Sequence, residues 1–251
     1  MSYFNYKDKK IYYKILGQGK PLMFLHGNTS SSKMFEHILP LYQNDFQIIL
    51  LDFLGNGKSD RIEEFSHDLY YQEAKQVIKL IEYLKLKEVI LVGTSGGAWV
   101  GINVALKRPD LITHVIADSF DGRKFHENFI DELIAERKKA VNDNAARQFY
   151  SWCQGDDWYE VIKQDTKALT MMVTLNIPLF CTTLEHLKVP LLLIASLQDS
   201  MIRQDIEAEY KQILQQVQIG TMSIFTSGDH PALLHNATMV SEVIKEFINN
   251  Y

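Results

Sequence analysis

A serine flanked by glycines, in residues 93–97 (Gly-Thr-Ser-Gly-Gly), is the side chain in this sequence best placed for nucleophilic chemistry. An apolar run at residues 89–92 precedes it as a predicted strand, and residues 98–106 follow it as a predicted helix. At such a junction the serine is held in a strained conformation, and glycines two residues before and after it avoid crowding. Gly101, further along the helix, is expected to allow close packing on the sheet. We predict that Ser95 is a nucleophile; the alternative is a glycine-rich turn without chemistry.

A serine hydroxyl is a poor nucleophile at neutral pH and needs a base within hydrogen-bond reach, which a third group orients. Residues 227–230 (Ser-Gly-Asp-His) come directly after the last predicted strand, so His230 is expected in a loop at the carboxyl end of that strand. We therefore predict that His230 is the base. For His235 we expect a capping or surface role, and His26 is expected to organise a loop.

An aspartate that follows a predicted strand is the best candidate for the orienting acid. Asp199 comes shortly after the strand predicted at residues 190–195, which gives the chain order Ser, Asp, His. Asp118 is the alternative, because it ends the strand after the serine strand. Asp205 falls inside a predicted helix, and Asp229 is adjacent to the histidine and is expected to point elsewhere.

Acyl transfer also requires hydrogen-bond donors for the oxyanion, each worth about 2.7–4 kcal/mol of transition-state stabilisation. The backbone amide of Gly96, directly after the serine and at a helix N-terminus, is the first predicted donor. The second is expected in the loop after the strand predicted at residues 21–26. There we predict the backbone amide of Asn28, with Thr29 as the alternative.

Short apolar runs alternate with longer segments of helical period along most of the chain. This alternation predicts an α/β fold with a mostly parallel, doubly wound sheet. The predicted strands are residues 10–16, 21–26, 47–52, 88–93, 113–118, 190–195 and 221–226, and the predicted helices are residues 31–43, 68–85, 97–107, 203–216 and 236–250.

One region, residues 122–187, contains helix-period segments and no convincing strand. It predicts a helical insertion above the carboxyl ends of the strands, where open parallel sheets bind ligands. The core is then formed by residues 1–121 and 188–251. Part of the insertion's aromatic and sulfur side chains is expected to pack as core and the rest to line an apolar acyl pocket: Phe149, Tyr150, Trp152, Trp158, Tyr159, Met171 and Met172.

The composition excludes several classes of protein. The 251 residues are 46% hydrophobic and 23% charged, which excludes intrinsic disorder. With 26 basic against 31 acidic residues, the net charge of −5 argues against binding to nucleic acid or to an anionic membrane. We expect a cytoplasmic protein, because the sequence has only two cysteines, no secretory signal pattern and no apolar run long enough to span a membrane. We expect no metal and no cofactor.

These motifs together resemble the α/β-hydrolase superfamily over nearly the whole chain. The resemblance is carried by residues 26–28 (His-Gly-Asn), residues 52–59 (Asp-Phe-Leu-Gly-Asn-Gly-Lys-Ser), the serine turn, Asp199 and residues 228–230 (Gly-Asp-His). It implies the α/β-hydrolase fold with an inserted helical cap. The early loop is similar to that of haloalkane dehalogenases, but those enzymes carry an aspartate where Ser95 stands, so the resemblance implies a serine hydrolase.

The sequence thus predicts a serine esterase with the triad Ser95, Asp199 and His230 and an oxyanion hole formed by the amides of Asn28 and Gly96. The expected partner is a small-molecule acyl substrate, and the expected state is a monomer or homodimer. The same triad serves carbon–carbon bond hydrolases, lactonases and thioesterases, and some relatives of this fold are small-molecule receptors, so these alternatives stay open. Ser196 departs from the family pattern, because glycine is common at this place before the acid.

Overall fold

The computed structural model describes residues 2–251, and in them a mixed eight-stranded sheet forms the centre of the molecule. The strands are β1 (Ser2–Tyr6), β2 (Lys9–Leu16), β3 (Lys20–Leu25), β4 (Phe46–Leu51), β5 (Val89–Thr94), β6 (Ile112–Asp118), β7 (Leu191–Ser196) and β8 (Gly220–Phe225). Their spatial order is β1-β2-β4-β3-β5-β6-β7-β8. The pairs β1–β2 and β2–β4 are antiparallel and all the others are parallel. The predicted α/β class is confirmed.

Apolar side chains cover both faces of the parallel strands, which is why these strands have almost continuous apolar sequences. On β3, Met23 and Leu25 join the core on one face, while Leu22 and Phe24 join the core on the other. The first core includes side chains of the helices α1 (Leu69–Tyr83), α2 (Gly96–Lys107) and α6 (Ile206–Leu214). The second includes side chains of the short α7 (Ala232–His235) and of α8 (Ala237–Asn250).

Three helices, α3 (Phe129–Asn142), α4 (Asn144–Gln154) and α5 (Trp158–Thr174), lie between β6 and β7. Asp143 begins α4 because its carboxylate accepts a hydrogen bond from the amide of Ala146 at 2.8 Å. These helices fall inside the range predicted for the cap, whose division from the core at residues 121/122 and 187/188 stays a prediction. Among residues 2–251, no helix combines the length and the apolarity needed to cross a bilayer.

In the N-terminal region one prediction was wrong and one strand was missed. Residues 31–43 were predicted as a helix but form two short 3₁₀ turns, Ser32–Phe35 and Leu39–Leu41. Pro40 disfavours helical backbone at the residue before it and cannot donate the amide that a longer helix needs. The edge strand β1 was not predicted, because its hairpin turn reaches a positive φ of 55° at Lys7 without glycine or asparagine to signal it.

Candidate active site

Ser95 lies in the turn between β5 and α2 and has a strained backbone. Its φ of 53° and ψ of −125° lie in a region that costs on the order of 1–3 kcal/mol for a residue with a Cβ. The surrounding chain holds this conformation, since the Ser95 amide donates to the carbonyl of Asp118 at 2.8 Å and the Ser95 carbonyl accepts from the amide of Ala98 at 2.9 Å. The side chain is partly exposed at the carboxyl end of the sheet.

Glycines two residues before and after the serine are required by close backbone approach, as the sequence predicts. A Cβ on Gly93 would lie 2.8 Å from the amide nitrogen of Ala98, and one on Gly97 would lie 2.8 Å from the carbonyl oxygen of His26. Gly101 differs from the prediction. A Cβ there would meet its nearest neighbour, the Leu25 side chain, at an ordinary 3.6 Å, so close packing of α2 does not require glycine at this position.

The loops after β7 and β8 bring His230 and Asp199 together. Nδ1 of His230 lies 2.8 Å from one carboxylate oxygen of Asp199 and 3.1 Å from the other. The Asp199 carboxylate is fully buried and also accepts a hydrogen bond from the amide of Met201 at 2.9 Å. Among the hydrogen bonds of residues 2–251, none joins the Ser95 hydroxyl to His230; in free enzymes such contacts are often long and tighten only when substrate binds.

Side chains next to these two residues tie the two loops to each other. The hydroxyl of Ser196 donates to the carbonyl of Gly228 at 2.5 Å. Ser200 donates to the carboxylate of Asp229 through both its amide, at 3.1 Å, and its hydroxyl, at 2.9 Å. Ser196, which departs from the family's usual glycine, therefore links the loop of the acid to the loop of the histidine.

Asp118, the alternative acid, is fully buried and has other partners. Its carboxylate accepts hydrogen bonds from the hydroxyl of Thr94 at 2.7 Å and from the amide of Leu233 at 3.2 Å. Burial raises the pKa of Asp118 to about 7 against the opposing effect of these hydrogen bonds. Asp118 makes no hydrogen bond to His230 within residues 2–251, so the geometry favours Asp199 as the residue that orients the imidazole.

The electrostatic surroundings of His230 favour its protonated form. Burial by itself lowers the pKa of His230. The hydrogen bond and negative charge of Asp199, with the charges of Asp118 and Asp229, outweigh burial and hold this pKa above its ordinary value of 6.5. The imidazole is therefore a stronger base than an isolated histidine and can stabilise a positive charge.

The loop after β3 lies directly against the serine turn. A Cβ on Gly27 would lie 2.9 Å from the Cβ of Ser95, and a Cβ on Gly96 would overlap the side-chain oxygen of Asn28. Gly96 is the first residue of α2, so its amide has no acceptor inside the helix. The loop is itself strained, because Thr29 is β-branched and has a φ of 56°.

The cap contributes buried polar side chains to this loop, and none of them was among the predicted site residues. Asp165 of α5 accepts a hydrogen bond from the Asn28 side chain at 2.6 Å, and Arg137 of α3 donates to the hydroxyl of Thr29 at 2.7 Å. Arg137 also donates to the hydroxyl of Tyr150 at 2.7 Å and lies 3.4 Å from the Asp165 carboxylate. Burial raises the pKa of Asp165, although the positive charge of Arg137 and the Asn28 hydrogen bond oppose this shift.

Both cap residues could have been found from the helical period. Arg137 lies four residues after the buried Leu133 and three before the buried Ala140, and Asp165 lies on the buried face of α5 with Val161 and Leu169. A charged residue on the apolar side of an amphipathic helix indicates a buried polar partner.

Two of the remaining histidines lie where structural roles were expected. His26 is buried, with Nδ1 2.8 Å from the carbonyl of Gly27, and its Nε2 accepts a hydrogen bond from the amide of Phe53 at 3.0 Å. His235 is exposed on the surface. Of the cap residues considered for an acyl pocket, three are exposed, namely Phe149, Trp152 and Tyr159, while Tyr150 and Met172 are buried.

Comparison with known proteins agrees with the fold. The sequence model of the family described as alpha/beta hydrolase fold matches residues 20–130. The solved structure of the meta-cleavage product hydrolase from Pseudomonas fluorescens superimposes with a TM-score of 0.79 at 17% identity, covering 97% of this chain and 95% of the other. The chain has the α/β-hydrolase fold and is similar in sequence to this family over residues 20–130.

Two curated relatives match shorter segments. The uncharacterized hydrolase YugF of Bacillus subtilis is 35% identical over 95 residues, which is 38% of this chain and 34% of YugF. The karrikin insensitive 2 receptor CA of Petunia hybrida is 26% identical over 151 residues, which is 57% of this chain and 54% of the receptor. The chain thus spans about a third to about a half of the length of these relatives.

Proposed function

We propose that the chain is a serine hydrolase that cleaves a small carboxylic ester, or a related acyl compound, through an acyl-serine intermediate. The observation that supports the proposal most directly is the pair of contacts at 2.8 and 3.1 Å between His230 and Asp199, in loops at the same edge of the sheet as the strained turn of Ser95. A histidine–aspartate ion pair with a purely structural role on the surface would need neither a buried carboxylate nor a strained serine turn at the same edge of the sheet.

In the proposed reaction, Oγ of Ser95 attacks the substrate carbonyl while Nε2 of His230 accepts the hydroxyl proton. Asp199 fixes the imidazole through Nδ1 and stabilises its positive charge. The amides of Asn28 and Gly96 bind the oxyanion. When the tetrahedral intermediate collapses, His230 returns the proton to the leaving alcohol.

The same groups then complete the proposed cycle. A water molecule gives its proton to His230 and attacks the acyl carbonyl as the serine did before. The ester bond to Ser95 breaks, the serine oxygen takes back the proton, and a carboxylic acid leaves. The reaction therefore consumes one ester and one water and needs no cofactor.

The proposal is tested by labelling with a fluorophosphonate and by turnover of p-nitrophenyl acetate, a lactone and a thioester. We expect labelling on Ser95 alone, and we expect Ser95→Ala to lose both labelling and turnover. Ser151→Ala, on the exposed face of α4, is the matched control and should behave as the wild type. Full activity in Ser95→Ala would exclude the mechanism.

A receptor is the second candidate, because the Petunia hybrida relative is a receptor by name and matches more than half of this chain. Labelling of Ser95 without turnover of any substrate in the panel would favour the receptor. Absence of labelling would refute an activated serine for both candidates.

A further inference from the structure

The loop at residues 26–31 contains Asn28, whose backbone amide is the predicted second oxyanion donor. Its internal hydrogen bonds are local, from the Ser30 hydroxyl to the Gly27 carbonyl at 2.9 Å and from the Thr29 hydroxyl to the Asn28 carbonyl at 2.7 Å. Local hydrogen bonds within a few residues do not by themselves hold a β-branched residue at a positive φ. Contacts from outside the loop must hold it.

For Asn28 and Thr29 those contacts come from the cap helices α3 and α5 and from α1. The Asn28 side chain donates to Asp165 at 2.6 Å and its oxygen accepts from the hydroxyl of Tyr70 at 3.2 Å. Arg137 donates to the Thr29 hydroxyl at 2.7 Å. Both partners of the Asn28 side chain are 2% exposed, but the contact with Asp165 is the shorter of the two and is the one that comes from the cap.

We propose that Asp165 is a positioning residue, which holds the Asn28 side chain so that the Asn28 backbone amide faces the oxyanion. The inference rests on the proposed function. Asp165 does not touch the reacting atoms in this scheme, and its effect passes through Asn28. Because Asp165 belongs to α5, the oxyanion site is complete only when the cap is seated on the core.

A second contact between cap and core provides a matched control. Asp157, at the start of α5, forms an ion pair with Arg61 of the core, with distances of 2.7 and 2.8 Å to its two carboxylate oxygens. Half of the Asp157 side chain is exposed, and its hydrogen bonds do not reach residues 26–31. Asp157→Ala therefore removes an ion pair between cap and core that makes no direct contact with residues 26–31.

The test is a double-mutant cycle on ester turnover. We expect Asp165→Ala to lower kcat about 10- to 100-fold with little change in KM, since small displacements of oxyanion donors act on the transition state. Asn28→Ala should lower kcat similarly, and the double variant should be no slower than the slower single variant. Asp157→Ala should stay within about twofold of the wild type. Equal losses in Asp165→Ala and Asp157→Ala, additive losses with Asn28→Ala, or a change in KM alone would each overturn the proposal.

Hydrogen exchange separates failure of this proposal from failure of the proposed function, because it needs no substrate. Exchange of the amides in residues 26–31 should rise in Asp165→Ala and stay unchanged in Asp157→Ala, even if no ester is turned over. If Asp165→Ala does not fold, Asp165→Asn replaces it, with a smaller loss in kcat because asparagine keeps an acceptor for Asn28. Unchanged exchange in whichever of these variants folds contradicts the role of Asp165.

Discussion

The two glycines on one face of α2 should respond in opposite ways to substitution by alanine. A Cβ on Gly97 would lie 2.7 Å from the carbonyl carbon of Leu25 and 2.8 Å from the carbonyl oxygen of His26, and real Cβ atoms essentially never come within 3.0 Å. Both neighbours are backbone atoms of the strand end and cannot rotate away. A Cβ on Gly101 would lie at least 3.6 Å from all its neighbours.

For Gly97→Ala we expect a loss of about 1–3 kcal/mol in the free energy of unfolding, the usual result of overpacking. For Gly101→Ala we expect a gain of about 0.5–1 kcal/mol, because alanine restricts the unfolded chain and favours helix. A change of 1 kcal/mol corresponds to about 2–4 °C in Tm for a chain of this size. Gly97→Ala should also lose most ester activity, because relief of the clash moves the adjacent Gly96 amide.

Urea unfolding followed by circular dichroism measures both variants, and ester turnover measures the effect on the site. Gly101→Ala controls for the general effect of alanine in α2. The reasoning is refuted if Gly97→Ala is as stable and active as the wild type, or if Gly101→Ala is destabilised by more than about 1 kcal/mol.

Three further outcomes follow from buried polar groups. Because the pKa of His230 is raised and the base must be neutral to accept a proton, kcat/KM should fall in acid with a midpoint above pH 6.5. Asp199→Asn should lower that midpoint and reduce kcat about 10³- to 10⁴-fold, and an unchanged midpoint in this variant contradicts the role of Asp199. Asp118 has a folded-state pKa of about 7, so its carboxyl ionises in the unfolded chain at lower pH than in the folded one, and the wild type loses stability as the pH rises from about 4 to 7. The free energy of unfolding of Asp118→Asn, relative to that of the wild type, should therefore be higher at pH 8 than at pH 5 by on the order of a few kcal/mol in urea titrations, and an equal difference at the two pH values contradicts this. The hydroxyl of Tyr42 is buried without a hydrogen-bond partner in residues 2–251, so Tyr42→Phe should raise the free energy of unfolding by up to about 1 kcal/mol, and a thermal melt showing a lower Tm would argue against it.

The parallel strands could be predicted closely because their sequences are almost continuously apolar. The predicted strand at residues 113–118 differs by one residue from β6, and the one at residues 190–195 differs by one from β7. Since the carboxyl ends of these strands share one edge of the sheet, polar residues just after them had to lie near one another. Asp199 and His230, which are 31 residues apart in the chain, could be predicted to meet from this shared edge alone.

The polar contacts of the cap could not be predicted with the same reasoning. The recurrence of apolar residues at helical spacing indicates that one face of α5 is buried, but it does not indicate which part of the core covers that face. The partner of Asp165 is Asn28, 137 residues away, and no local pattern links the two. Asp165 differs from other acidic residues of this region in being buried, and not in residue type. Those at positions 131, 132, 156, 157 and 160 are exposed.

The cap helices are attached to the core by different kinds of contact, which determines what is lost when each one moves. On α5, Val161, Leu169 and Met172 belong to the main apolar core, so lifting this helix exposes apolar surface to water. On α4, Gln154 donates to the carbonyl of Ser30 at 2.8 Å and its side-chain oxygen accepts from the amide of Gly57 at 2.7 Å. Water replaces such hydrogen bonds at a small net cost of about 0.5–1.5 kcal/mol each. Within residues 2–251, α4 contributes no side chain to that main core, so its movement exposes less of this apolar surface than movement of α5 does, and it leaves the contact between Asp165 and Asn28 in place.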